Sequence, residues 1–308
     1  MKKTLRNELL LILTALIWGV AFVFQSTGGD AVGPYTFSSL RSVIASIALL
    51  PVIRLLDRLG LTERRPQTRQ DWRTLILGGV CCGVALAATS IFQQLGLYMG
   101  TPAGKAGFLT ACYIVLVPVL GLFLKRRCGW NVAVAVGITL AGLYLLCMNG
   151  SLTLQASDAM VLICSLACAA HILIIDHFAP RVEVVRMSCI QFITAACIAA
   201  VPMVWVDMGH SAAGLSQWLQ AFRQPDAWIA LLYAGLLSSG VGYTLQCIGQ
   251  QGLNPTIASL LMSLESVFSV IAGWLMLGQS LSGREIAGCV LIFGAVVFAQ
   301  LPIAQRKK

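Results

Sequence analysis

Residues 252–279 read GLNPTIASLLMSLESVFSVIAGWLMLGQ, an apolar stretch that opens on Asn254-Pro255 and carries a single carboxylate, Glu265. Asn caps helices well and Pro fits the first helical turn, so the spacing predicts one helix starting at Pro255 and running to the end of the stretch. At 1.5 Å per residue Glu265 stands about 15 Å from that start, half of a hydrocarbon core about 30 Å thick. An ionisable group at that depth costs about 3 kcal/mol or more. It therefore faces a bundle interior or a water-filled cavity, where it can serve a substrate or a proton.

The rest of the chain has the composition this reading needs. Of 308 residues 58% are hydrophobic and 11% charged, which is more apolar surface than a water-soluble core can hide. Ten apolar runs long enough to span a bilayer fall near 8–27, 34–56, 73–98, 103–124, 130–148, 158–178, 185–206, 227–249, 255–277 and 285–303. The basic start and the long apolar run after it predict a retained first span, not a cleaved leader. The eleven cysteines are odd in number and lie mostly inside these runs, so they read as small apolar packing residues and not as a disulfide framework.

A formal charge of +9 does not point to nucleic acid here, because the basic residues alternate by loop. Lys2, Lys3 and Arg6, the six arginines from Arg54 to Arg73, Lys125 to Arg127, Arg181, Arg186 and Arg306 to Lys308 all fall on one side. The other side holds only Arg223 and Arg284, while Arg41 and Lys105 sit inside spans. The positive-inside rule then puts both termini in the cytoplasm. Membrane lipids are the partner this basic face implies.

Sliding the chain on itself by 152 residues sets Gly100 on Gly252, Gln94 on Gln246, Tyr113 on Glu265, Gly121 on Gly273 and Gly142 on Gly294, without a gap. Near the start of each half a shift of 150 sets Arg41 on Gln191. Ten spans thus divide into two five-helix repeats, residues 1–150 and 151–308. An odd number of helices makes the second copy enter from the opposite side of the membrane. Inverted-topology repeats of this kind place a binding site near the midplane between them, with Tyr113 and Glu265 meeting there.

In Leu40-Arg41-Ser42, in 106–110 (AGFLT) with Tyr113 and Pro118, in 263–268 (SLESVF) and in Leu277-Gly278-Gln279, the chain resembles the EamA-type ten-helix carriers of the drug/metabolite transporter superfamily. The resemblance covers both halves. It implies a carrier or exporter of small metabolites in a bacterial inner membrane. Ser266 stands where the family often has Pro, and Gln279 where it often has Glu.

Glu265 is the leading candidate on the transport path, with Tyr113 as its symmetry mate. Arg41, about 10 Å inside the second span, has the fork geometry to hold a substrate carboxylate, or can equally tie helix ends together. His171 lies near the middle of the sixth span. Cys164, Cys168 and His171 share one helical face, yet three ligands on one helix do not complete a metal site, so no metal and no cofactor is expected. Gln94 and Gln246 are a symmetry pair, and Tyr243 lies one turn from Gln246. These seven residues form the predicted substrate pathway.

The expectation is an all-α integral membrane transporter, with a cavity lined by spans 1–4 and 6–9, spans 5 and 10 at the periphery, and alternating access for an amino acid or a drug-like amphiphile. No GxxxxGK[ST] motif is present to bind ATP. A membrane-embedded enzyme on lipid-linked substrates would need a cluster of acids, histidines or nucleophiles in the loops 57–72 or 207–226, which is missing. A passive channel would need a ring of repeated charges, also missing.

Overall fold

The computed structural model describes residues 2–28, 32–60, 62, 64–101, 103–124, 129–148, 155–209, 211–278 and 282–300. Lys125 to Arg127, the C-terminal Arg306 to Lys308, Gln279 and the side chain of Lys105 lie outside them. Among the described residues there is helix and no strand. The first three spans are α1 (Lys2–Gly28), α2 (Pro34–Arg58) and α3 (Arg69–Tyr98). The fourth is split into α4 (Ala103–Ala111) and α5 (Tyr113–Phe123). The fifth and sixth are α6 (Trp130–Cys147) and α7 (Ala156–Phe178), and the seventh is α8 (Val184–Pro202), prolonged by a π-turn over Met203–Asp207. A short helix, α9 (Ala212–Ala221), occupies the stretch read from the sequence as a loop. The eighth span is α10 (Pro225–Leu232), a π-helical stretch Tyr233–Tyr243 and α11 (Thr244–Gly249). The ninth is split into α12 (Pro255–Met262) and α13 (Leu264–Leu277), and the tenth is α14 (Gly283–Gln300).

Nine of these spans are long and apolar enough to cross a membrane, and α14 packs along α6 as their tenth partner. Large apolar side chains cover the outside: Phe123 is 82% exposed and Val290 66% exposed. Such a surface suits contact with lipid tails. The protein is thus an all-α, multi-pass membrane protein built of two five-helix repeats of inverted topology.

The packing repeats as the sequence does. Span 2 lies on span 7 and span 5 on span 10, each against its own mate. Span 1 packs on spans 8 and 9, and its mate, span 6, packs on spans 3 and 4. Every major contact of one half therefore has a counterpart in the other.

Polar contacts lace both ends of the bundle. At the end that carries the N terminus, Asn7 Nδ2 donates to the Gln251 carbonyl at 2.7 Å and Gln251 Nε2 to the Ala179 carbonyl at 3.1 Å. Arg186 there pairs with Asp57 at 2.6 Å and with Glu183 at 3.2 Å. At the far end the Asp207 carboxylate caps α2, accepting from Thr36 N at 2.6 Å and Thr36 Oγ1 at 2.8 Å. Gly33, with φ at +89°, makes this possible, since a Cβ there would sit 2.7 Å from the same carboxylate. The Trp218 indole of α9 donates to Thr36 Oγ1 at 3.0 Å, fastening the short helix over that end.

At the periphery α6 and α14 meet backbone to backbone: a Cβ on Gly288 would fall 2.7 Å from the Gly142 carbonyl oxygen and 2.8 Å from Leu146 N. Backbone atoms cannot turn aside as a side chain can. We expect Gly288→Val to lower stability by about 1–3 kcal/mol, while Gly294→Val on the same helix, where a Cβ meets open space, stays within about 0.5 kcal/mol. Thermal unfolding in detergent checks both.

Candidate functional site

The site is organised by two helix breaks. In span 9 the Ser259 hydroxyl donates back to the Thr256 carbonyl at 2.8 Å and the Ser263 hydroxyl to the Leu260 carbonyl at 2.7 Å. Back-bonding of this kind competes with the helical ladder and bends it. The Ser266 N–H then reaches the Ser263 carbonyl at 3.2 Å, a tightened turn, and α13 begins afresh at Leu264. The single helix expected from the sequence is thus two helices. Glu265 falls in the first turn of the second, just past the tightened turn.

The same event occurs in the first repeat. Cys112 N reaches the Leu109 carbonyl at 3.3 Å and Cys112 Sγ the Phe108 carbonyl at 3.4 Å, and α5 opens on Tyr113. Pro118, inside α5, removes one more ladder donor. The Tyr113 hydroxyl donates to Glu265 Oε1 across a long 3.5 Å, and both residues are buried. The pair joined here is the pair that the 152-residue register aligns.

Around this pair lies a small cavity of about 60 Å³. Six of the seven predicted pathway residues line it: Glu265, Tyr113, Arg41, His171, Gln246 and Tyr243. Gln94 does not. It is buried in the packing of α3, and Gln93, turned about 100° around the helix, takes the place in the wall and donates to Thr110 Oγ1 at 3.3 Å. Span 7 is likewise absent from the wall, although the sequence placed it there. It acts from behind: Gln191 Oε1 accepts from His171 Nε2 at 3.0 Å.

Tyr243 is the aromatic centre of the cavity. Its ring meets Trp18 at 4.7 Å, His171 at 5.7 Å and Phe192 at 5.9 Å between centroids, tilted or edge-on. The π-helical stretch that ends on Tyr243 presents carbonyls to span 1: Ser238 O accepts from the Trp18 indole at 3.0 Å and Gly242 O from Thr14 Oγ1 at 3.4 Å. Trp18 and Thr89 were not among the residues expected on the path from the sequence, and Thr110 entered only as part of the 106–110 motif. Nothing in the local pattern around Trp18 marks a π-helix two hundred residues away.

The charges are the most unusual feature. Arg41 is buried, its Nε donates to Ser239 Oγ at 3.2 Å, and no carboxylate lies within 4.0 Å of it among the described residues. Glu265 has the Tyr113 hydroxyl and no cationic partner among the described residues. Thr89 Oγ1 and Gln246 Oε1, also in the wall, have no hydrogen-bond partner among the described residues, a cost of about 1–3 kcal/mol for a buried polar group. Cys164 Sγ and Cys168 Sγ are 3.9 Å apart, and no group of three His, Cys, Asp or Glu side chains is arranged to hold a metal among the described residues.

His171 holds its place in the wall through Gln191. Replacing His171 with Leu leaves the Gln191 oxygen unpaired, and we expect a loss of about 1–3 kcal/mol, part of which returns when Gln191→Leu is added. A double-mutant cycle on thermal unfolding measures that coupling.

Comparison with known proteins agrees with this architecture. The sequence profile of the EamA-like transporter family matches residues 5–148 and again 155–300. An uncharacterized transporter of Archaeoglobus fulgidus is 25% identical over 305 residues, covering 98% of this chain and 88% of its own. The uncharacterized transporter YcxC of Bacillus subtilis is 25% identical, covering 96% and 93%. Protein PecM of Dickeya dadantii is 33% identical over 78 residues, a quarter of each chain. A solved crystal structure superposes with a TM-score of 0.75 at 18% identity, covering 96% of this chain and 95% of the other, and so shares its fold. With both halves matched, the chain belongs to the EamA-like transporter family and is a membrane transporter.

Proposed function

We propose that the protein is a secondary carrier that exports a small zwitterionic metabolite of the amino-acid type across the cytoplasmic membrane by alternating access. One observation carries the reading: a buried guanidinium and a buried carboxylate, neither with a charged partner among the described residues, line one cavity walled by aromatic rings. A buried charge without a partner is costly, and each of these meets its complement when a substrate supplies it. Arg41 binds the substrate carboxylate as a fork, Glu265 binds the ammonium group, and Trp18, Tyr243 and His171 enclose the side chain. Gln93 and Gln246 contribute neutral hydrogen bonds.

Residues 1–150 and 151–308 act as the two rocking repeats in this scheme, with both termini in the cytoplasm. Glu265 also carries the coupling proton: substrate ammonium and proton compete for one carboxylate, so entry of one releases the other. Carrier chemistry of this kind needs no reacting nucleophile, which is why we favour it over a lipid-modifying enzyme.

Thermal unfolding of the detergent-solubilised protein with amino acids, nucleosides, sugars and cationic drugs tests the substrate class. A zwitterion at a hundred times its dissociation constant adds about 2.7 kcal/mol of stability. We expect that gain to vanish in Arg41→Ala and in Glu265→Gln with the variants still folded, and pH-dependent transport to become flat in Glu265→Gln. A cationic drug that stabilises the Arg41→Ala variant as well as the parent would overturn the zwitterion reading. Transport that keeps its pH dependence in Glu265→Gln would overturn the coupling.

A further inference from the structure

We propose that Gln246 and Gln250 form the wall of the inward half of the transport path, which is shut in this structure. The proposal rests on the transporter reading and goes beyond it by assigning residues to a passage that is not open. Tyr243, Gln246 and Gln250 stand at i, i+3 and i+7, on one face of span 8 that runs from the cavity toward the N-terminal end of the bundle. Gln250 is 2% exposed, and both its Nε2 and its Oε1 lack a hydrogen-bond partner among the described residues. Gln246 Oε1, one turn nearer the cavity, lacks one too.

A primary amide has two donors and two acceptor sites, and in a hydrocarbon surrounding each unmet one is a net loss. Packing alone would be served better by Leu or Met. The row of amides therefore marks a surface that is wetted in another conformation of the same chain.

What closes it is visible around it. Cys247, next to Gln246 in the chain, rests in an apolar cluster of Leu75, Ile175, Ala179, Val182 and Met187, contributed by spans 3, 6 and 7 and the turn between 6 and 7. Just beyond, Gln251 is tied to Asn7 and Ala179, and Arg186 bridges Asp57 and Glu183. Inward opening parts span 8 from spans 3, 6 and 7, breaks these few polar ties and gives water to Gln250 and Gln246. The apolar cluster is the plug and the amide row is the lining it covers.

Cysteine labelling tests this without a known substrate, so its failure is separate from the failure of any substrate screen. The Gln250→Cys variant, in membrane vesicles of either orientation, is treated with a membrane-impermeant maleimide, and adducts are counted by intact mass against the parent chain. Ala135→Cys, fully buried near the same end on peripheral α6, is the control. We expect one added label on Gln250→Cys, only from the N-terminal side, at least about tenfold faster than the control, as an inward-open minor state would allow. Labelling no faster than Ala135→Cys, or from the far side alone, overturns the proposal. Should Gln250→Cys fail to fold, Gln246→Cys is read in the same way: reaction from the N-terminal side supports the path, and protection from that side overturns it.

Discussion

Hydrocarbon offers no partner to a backbone group, and this chain breaks two of its spans in the middle. That constraint organises the molecule. Each break must be wrapped in protein, and the wrapping is done by the same element in each repeat: α1 lies along α13, and α7 along α4 and α5. The approach is close. A Cβ on Gly19 of α1 would stand 2.7 Å from the Glu265 carbonyl oxygen and 2.6 Å from Phe268 Cβ, so the absence of a side chain at one position of span 1 lets the backbone of span 9 settle beside it. Where the carboxylate sits depends on that contact.

The breaks also lie beside the buried carboxylate. Glu265 stands just past the tightened turn at Ser263, at membrane depth, with the Tyr113 hydroxyl as its hydrogen-bond donor. Arg41 relies on Ser239, which the π-helical stretch of span 8 presents from the opposite repeat. π-helical turns are enriched at functional sites because they redirect side chains and free carbonyls, and here the freed carbonyls of Ser238 and Gly242 hold span 1. The two charges stand on separately anchored elements, each held by neutral hydrogen bonds and neither neutralised by the other.

Much of the fold was legible because a bilayer narrows the choices. Apolar runs of about 20 residues can be little else than spans, and the alternation of basic loops follows from them. The 152-residue register went further, since it paired Tyr113 with Glu265 before any geometry was known, and two residues aligned by an internal two-fold meet at its axis. What the sequence hid lies below the resolution of hydrophobic pattern. Leu and Met favour helix and Ser is common inside apolar helices, so the break at Ser263 rests on which hydroxyl bonds back to which carbonyl. The choice between Gln93 and Gln94 turns on a rotation of one residue in a helix buried on most of its surface. The π-helical stretch depends on contacts with span 1 that no local signal encodes. The same holds for α9, whose ten residues look like a polar loop until Trp218 finds Thr36.

The duplicated backbone and the unduplicated chemistry have separate consequences. Because the major contacts between spans have counterparts in the other repeat, the packing open at one end and the packing open at the other are built from the same kinds of interface, and differ little in free energy on that account. The side chains that break the symmetry then set the balance. Arg41 faces Gln191 across the register and Glu265 faces Tyr113; in each pair one copy keeps the charge and the other a neutral group that positions a neighbour, His171 in one case and Glu265 itself in the other. The two ends differ as well. Ion pairs of Arg186 join the N-terminal end, whereas hydrogen bonds join the far end, among them the Asp207 cap on α2, Trp218 to Thr36 and Thr101 to Asp158. A carrier built this way can hold two nearly equal conformations with one scaffold, and a few polar contacts at either end, each worth about 1 kcal/mol, are then enough to decide which of them the empty protein prefers.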